Sequence, residues 1–163
     1  MYLFTTIFAG VSVFVIGQIF LKWMIEPIQE LRKIIAEVMF YLANDNSIIH
    51  NADMLDKEEV LSSCKNLKRL GANLLSCQQL IPFYETIFKI LRLPKRDDIV
   101  LASKRLSLIS NSVFGKERDI YYQLDLYRIE VCEALGIEDP IQGGMSKIEL
   151  QNAIKDIRNR TNA

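Results

Sequence analysis

The chain has 163 residues and a mass of 18.8 kDa, half of its residues are apolar, and 20 Lys and Arg balance 20 Asp and Glu. That length fits one compact domain and excludes a large multidomain enzyme, while 7 Gly and 4 Pro are too few for a collagenous or low-complexity chain. Three cysteines, Cys64, Cys77 and Cys132, form no C-x-x-C or Cys/His cluster, which fits a reducing cytosolic setting and offers no zinc site.

Leu3 to Leu21 is a run of 19 residues without a charge. As a helix it would extend about 28 Å, close to the thickness of a bilayer's hydrocarbon layer. A cleaved signal peptide would carry a basic n-region and a short apolar core ending in small residues, and this stretch has neither. The reading is a retained transmembrane anchor over residues 1–24, with the Lys22 and Trp23 pair as an interfacial cation and aromatic. Gly10 and Gly17 lie seven apart on nearly one helix face, and Gln18 is the most polar residue of the stretch, so the anchor has features suited to lateral association. Lys22, Arg32 and Lys33 follow the span and no charged side chain precedes it. The positive-inside rule then places the N-terminus outside and the remainder in the cytoplasm.

Residues 25–43 read as an amphipathic linker or a first bundle helix, because Ile25, Ile28, Leu31, Ile35, Val38 and Leu42 step by three and four. Glu26-Pro27 predicts a break or kink at its start, with Pro27 in a first helical turn. Residues 44–56 are polar and turn-rich, with His50 as the lone histidine in a surface loop, and Asp56 with Glu59 predicts a capped start to the next helix. The domain proper then covers residues 57–163. Its first helix carries Val60, Leu61, Cys64, Leu67, Leu70, Leu74 and Leu75 inward and ends near Gln79. A short helix from Phe83 to Leu93 follows, with Phe83, Ile87, Ile90 and Leu91 inward, and Pro94 stops it.

Asp97 and Asp98 predict the cap of a helix from Ile99 to Val113, ended by Gly115. Arg118 to Leu135 reads as a long helix with Ile120, Leu124, Tyr127, Val131 and Leu135 on one face, ended by Gly136. Ser146 and Glu149 predict a capping box for a last helix to about Arg160. The fold class is all-α: an N-terminal transmembrane helix followed by a soluble bundle of about five or six helices.

No catalytic constellation emerges from these residues. One histidine leaves little for a triad or a histidine-ligated metal, the pairs Glu58-Glu59 and Asp97-Asp98 adjoin helix starts where the dipole favours acids, and Gly143-Gly144 lacks the Lys and Ser/Thr of a phosphate loop. The reading is therefore non-enzymatic, with no metal or cofactor. Charge is uneven: residues 1–56 hold 3 basic and 6 acidic side chains, residues 57–118 hold 12 and 6, and residues 119–163 hold 5 and 8. Lys89, Arg92, Lys95, Arg96, Lys104 and Arg105 are the densest basic group and form a candidate surface for lipid headgroups or nucleic acid, unless the acidic flanks neutralise it. No RNA-binding aromatic motif accompanies them, so nucleic acid is not favoured. Ser103 to Ser112 is rich in Ser and Asn for a helix. Such a stretch suits a tight helix contact or an interaction surface, the latter formed by Ser107, Ser110 and Asn111.

Three segments taken together carry a resemblance: Gly17-Gln18 leading into Ile25-Glu26-Pro27-Ile28-Gln29-Glu30-Leu31-Arg32, then Ile81-Pro82-Phe83-Tyr84, then Leu108-Ile109-Ser110-Asn111-Ser112. The combination resembles a group of small bacterial single-span membrane proteins with a helical cytoplasmic domain and no assigned activity. The resemblance covers roughly residues 15–115. It implies a bacterial or phage origin and supports the anchor, and it transfers no catalytic role. The expected protein tethers a helical interaction domain to the bacterial inner membrane, its partners being the lipid bilayer and another protein or a second copy. The alternatives are a membrane-perturbing effector of a bacterial conflict system and a membrane-tethered nucleic-acid binder.

Overall fold

The computed structural model describes residues 2–44, 55–115, 119–141 and 144–161, and among them there are helices and no strand. The elements are α1 (Tyr2–Phe20), α2 (Glu26–Asn44), α3 (Lys57–Leu80), the single turn α4 (Tyr84–Ile87), α5 (Arg96–Ser112), α6 (Ile120–Leu135) and α7 (Lys147–Thr161). The His50 loop lies outside the described residues, as do Gly143 and Arg118.

α1 is apolar on all sides and covers no core, and with its continuation it is long and apolar enough to cross a membrane. Of the break or kink expected near Glu26-Pro27, there is no break, but the helix is irregular just before that pair. Leu21–Ile25 forms one π-helical turn, closed by the Glu26 N–H donating to the Leu21 carbonyl, and the helix runs on into α2. Pro27 explains the wider turn: it has no N–H for the carbonyl four residues back, and its ring would crowd that carbonyl in a regular α-turn. The segment over residues 25–43 is thus no separate linker. It buries Ile28, Leu31, Ile34, Val38 and Leu42, so the bundle core begins there; Ile34 rather than Ile35 completes the inward stripe.

Asp56 caps α3 by accepting from the Glu58 N–H at 3.4 Å. Val60, Cys64, Leu67, Leu70 and Leu74 are buried as the spacing predicts, but Leu61 is exposed and Leu75 is at the margin. The helix expected over residues 83–93 reduces to the one turn of α4. Phe83 (φ 53°) and Arg92 (φ 51°), one on each side of α4, both adopt the left-handed conformation. As a result Phe83 and Ile90 point outward and Tyr84 points inward, its hydroxyl donating to the Pro94 carbonyl at 2.6 Å. α5 starts at Arg96, so Asp97 and Asp98 lie within its first turn and favour the helix dipole without capping it. α6 ends on Gly136 (φ 66°), and α7 begins with the expected reciprocal cap: Ser146 N–H to Glu149 Oε2 at 2.8 Å, Glu149 N–H to Ser146 Oγ at 3.4 Å.

The helices pack in chain order, α2 on α3, α3 on α5, α5 on α6 and α6 on α7. Their directions alternate. Cys77, near the end of α3, feels the Glu30 carboxylate near the start of α2, and Arg32 Nη2 donates to the Leu91 carbonyl at 2.8 Å. Lys147 at the start of α7 meets Glu133 at the end of α6 at 2.5 Å, while Arg158 reaches Asp119 at the opposite end at 3.1 Å. The connections over residues 81–95 and 136–146 therefore share the end of the bundle from which α1 emerges, here called the proximal end.

Candidate interaction surfaces

The Ser-rich stretch lies mainly inside the bundle. α3 and α5 run antiparallel in a register fixed by three pairs seven residues apart. At the distal pair Ser110 Oγ donates to the Cys64 carbonyl at 2.9 Å. At the middle pair a Cβ on Gly71 would stand 3.2 Å from both the carbonyl oxygen and the Oγ of Ser103, a contact tight enough that α5 would have to give by a few tenths of an ångström. At the proximal pair Gln78, with its amide oxygen turned toward α5, accepts from Arg96 Nε and Nη2 at 3.0 and 3.1 Å. Small side chains at heptad spacing bring two helix backbones close. Ser103 and Ser110 are thus buried contacts, which corrects the placement of Ser110 on an interaction surface. Ser107 is half-buried and Asn111 is exposed. Asn111 edges a shallow cleft of about 250 Å³ with Leu61, Lys65, Lys68 and Phe114.

The six-residue basic group also divides. Arg105 is committed to Glu130 at 2.6 Å, with its guanidinium 5.1 Å from the Tyr127 ring centre, and Arg96 is held by Glu85 at 3.3 Å as well as by Gln78. Lys104 is exposed two helical turns further along α5. What remains together is Lys89, Arg92 and Lys95, all exposed and without an ion pair among the described residues; the Lys89 ammonium lies 5.9 Å from the Phe88 ring centre. They line a cleft of about 340 Å³ whose other wall is Asp98, Glu133, Leu135 and Gly136. Packing supplies acids to two cations of the group and leaves three at the proximal end.

One buried charge is not evident from composition. Arg128 is 5% exposed and bridges Asp125 at 3.1 Å and Asp139, which also accepts from the Ile141 N–H at 3.0 Å. This cation fastens the segment after Gly136 onto α6, and the clue was its place in the inward stripe between Leu124 and Val131. Asp119 plays the same part at the distal end. Burial alone would raise its pKa, but hydrogen bonds from Gln123 at 2.6 Å and Arg158 outweigh it and hold the carboxyl below its ordinary value.

Cys132 and Cys77 are poor nucleophiles. Burial, with Asp139 nearby, pushes Cys132 up to about 11, and burial with Glu30 nearby raises Cys77. Burial, reinforced by Glu85, pushes Tyr84 up to about 12. Among the described residues no three His, Cys, Asp or Glu side chains converge on a metal-sized site. On α1, Gly10 and Gly17 face open space, and Lys22 and Trp23 lie exposed in the π-helical turn beyond Gln18. No family model, curated protein or solved structure matches the chain.

Proposed function

We propose that this chain is a single-pass bacterial inner-membrane protein, its N-terminus outside, that holds a cytoplasmic helical domain at the membrane for binding another protein or a second copy of itself. The observation that supports this reading best is the apolar helix that covers no core yet continues through the π-helical turn into the first core helix. Confinement to the membrane plane raises the domain's effective concentration toward other membrane-bound partners. Continuity of α1 with α2 adds a fixed orientation, so the same end of the bundle always faces the lipid. The open faces of Gly10 and Gly17 suit close approach of a second span.

The test is expression of a C-terminally tagged full chain, alkaline washing of membranes, protease accessibility of the tag in spheroplasts and in inverted vesicles, and mass measurement of the gently solubilised, captured protein with and without nuclease. Retention after washing, a tag cleaved only in inverted vesicles, and a defined heteromeric or homomeric mass are expected. Release by alkali would refute the anchor. A bare monomer would refute stable association, and nuclease-sensitive absorbance would replace the protein partner with nucleic acid.

A further inference from the structure

Leu80, Phe83 and Ile90 are 67%, 73% and 78% exposed, although the core beside them buries Ile81, Tyr84 and Leu93. Large apolar side chains left in water within one short connection mark a contact surface. Lys89, Arg92 and Lys95, which make no ion pair among the described residues, are interleaved with them; the one acid of the connection, Glu85, is tied to Arg96, and of the acids on the facing wall, Asp98 and Glu133, the latter is tied to Lys147. The position of this surface is set by the bundle. Arg32 near the start of α2 donates to the Leu91 carbonyl at 2.8 Å, which ties the connection to the proximal end of the bundle, and Leu80 is the last residue of α3 before it. Phe83 follows Leu80 at the end of the bundle from which α1 emerges. The left-handed backbone at Phe83 aims its ring away from the core, a conformation a bulky side chain seldom adopts.

We infer that the last residue of α3 and the connection over residues 81–95 form a second membrane contact: Leu80, Phe83 and Ile90 enter the interfacial layer of the bilayer that α1 spans, while Lys89, Arg92 and Lys95 bind anionic headgroups. This rests on the anchor reading. Apolar side chains flanked by basic ones are the composition that seats a segment in the headgroup layer, with long cationic chains reaching to the phosphates. Each cation strengthens attraction to an anionic surface by roughly fivefold, so the three together supply about a hundredfold preference for it. The neighbouring connection over residues 136–146, which carries Glu138 and Asp139, has the opposite charge and is not part of the contact.

The full chain reconstituted in vesicles of phosphatidylcholine, with and without roughly 30% phosphatidylglycerol, tests this through tryptophan quenching by lipids brominated near the headgroup end of the acyl chain. In the parent, Trp23 is the only tryptophan and reports on the anchor. In Trp23→Phe/Phe83→Trp the introduced indole reports on the connection, and Trp23→Phe/Phe114→Trp serves as a distal control. Expected is a blue-shifted, quenched indole at position 83 in the anionic vesicles, an unquenched one at position 114, and a severalfold loss of quenching at 83 when Lys89→Glu, Arg92→Glu and Lys95→Glu are added. An unquenched indole at 83 beside a quenched Trp23 would overturn the second contact and leave the anchor intact. If Trp23 is unquenched too, both fall; equal quenching at 83 with and without phosphatidylglycerol would overturn the headgroup role of the three cations.

Discussion

Gly71→Ala is the substitution whose sign is most informative, because two effects of similar size oppose each other at that position. In an exposed helix interior the change stabilises by about 1 kcal/mol, since alanine has less backbone freedom to lose. Here the new methyl meets Ser103 at 3.2 Å, and one of the two atoms it meets is a backbone oxygen that cannot rotate away. α5 would have to retreat by a few tenths of an ångström. That movement stretches the 2.9 Å bond from Ser110 to the Cys64 carbonyl one heptad away and disturbs the Gln78 and Arg96 pair on the other side. Overfilling a packed contact costs about 1–3 kcal/mol, so the net expectation is a loss of about 1 kcal/mol, which for a bundle of this size lowers Tm by about 3–5 °C. Circular dichroism melts of the full chain in a mild detergent provide the assay, with Ser110→Ala as a companion that removes the hydrogen bond without crowding and costs about 1 kcal/mol or less. A rise in Tm for Gly71→Ala would mean that the two backbones do not approach closely and that the register rests on something else.

Arg128→Met should lower stability by roughly 3 kcal/mol, since it leaves Asp125 and Asp139 partly covered and facing each other, and urea denaturation would measure it; a change under about 1 kcal/mol would remove Arg128 as the fastener of the segment after Gly136. Arg158→Met should cost about 1 kcal/mol or less at neutral pH, because the arginine is largely exposed. The carboxyl of Asp119 titrates below its ordinary value of 3.8 when folded, so its stabilisation is complete above that value and is lost as the pH falls through the lower, folded one. The difference in Tm between Arg158→Met and the parent should accordingly narrow as the pH is taken progressively below the ordinary carboxyl value of 3.8. In the native protein at mildly alkaline pH, alkylation followed by mass spectrometry should modify the half-buried Cys77 well before Cys132, whose thiol stays protonated.

Much of the fold was legible because its signals are local. Absence of charge marks α1, three- and four-residue spacing marks the faces of α2, α3 and α6, and Ser146 with Glu149 and Gly136 mark ends that depend only on nearby backbone. The features that escaped depend on what faces what. Pro27 signals an interruption, but not that it takes the form of one wide turn just before it with the helix continuing. Nothing in Ile-Pro-Phe-Tyr says that Phe83 takes a left-handed conformation and yields the inward place to Tyr84. The heptad spacing of Cys64, Gly71 and Gln78, and of Arg96, Ser103 and Ser110, is visible in the sequence, yet it acquires meaning only once the two series are aligned antiparallel. For the same reason six clustered cations could not be divided from sequence into those that meet Glu85 and Glu130 and those that remain unpaired.

The unbroken passage from α1 through the π-helical turn into α2 makes a mechanical lever. α2 has 19 residues and reaches about 28 Å past that turn. If α1 spans a bilayer as proposed, a change in its tilt of about 10° in answer to a thinner or thicker bilayer would swing the far end of α2 sideways by about 5 Å. Because α2 is a wall of the core and no loose leash, the whole domain would lean with it, and lipid thickness would become a variable that a neighbouring protein could sense.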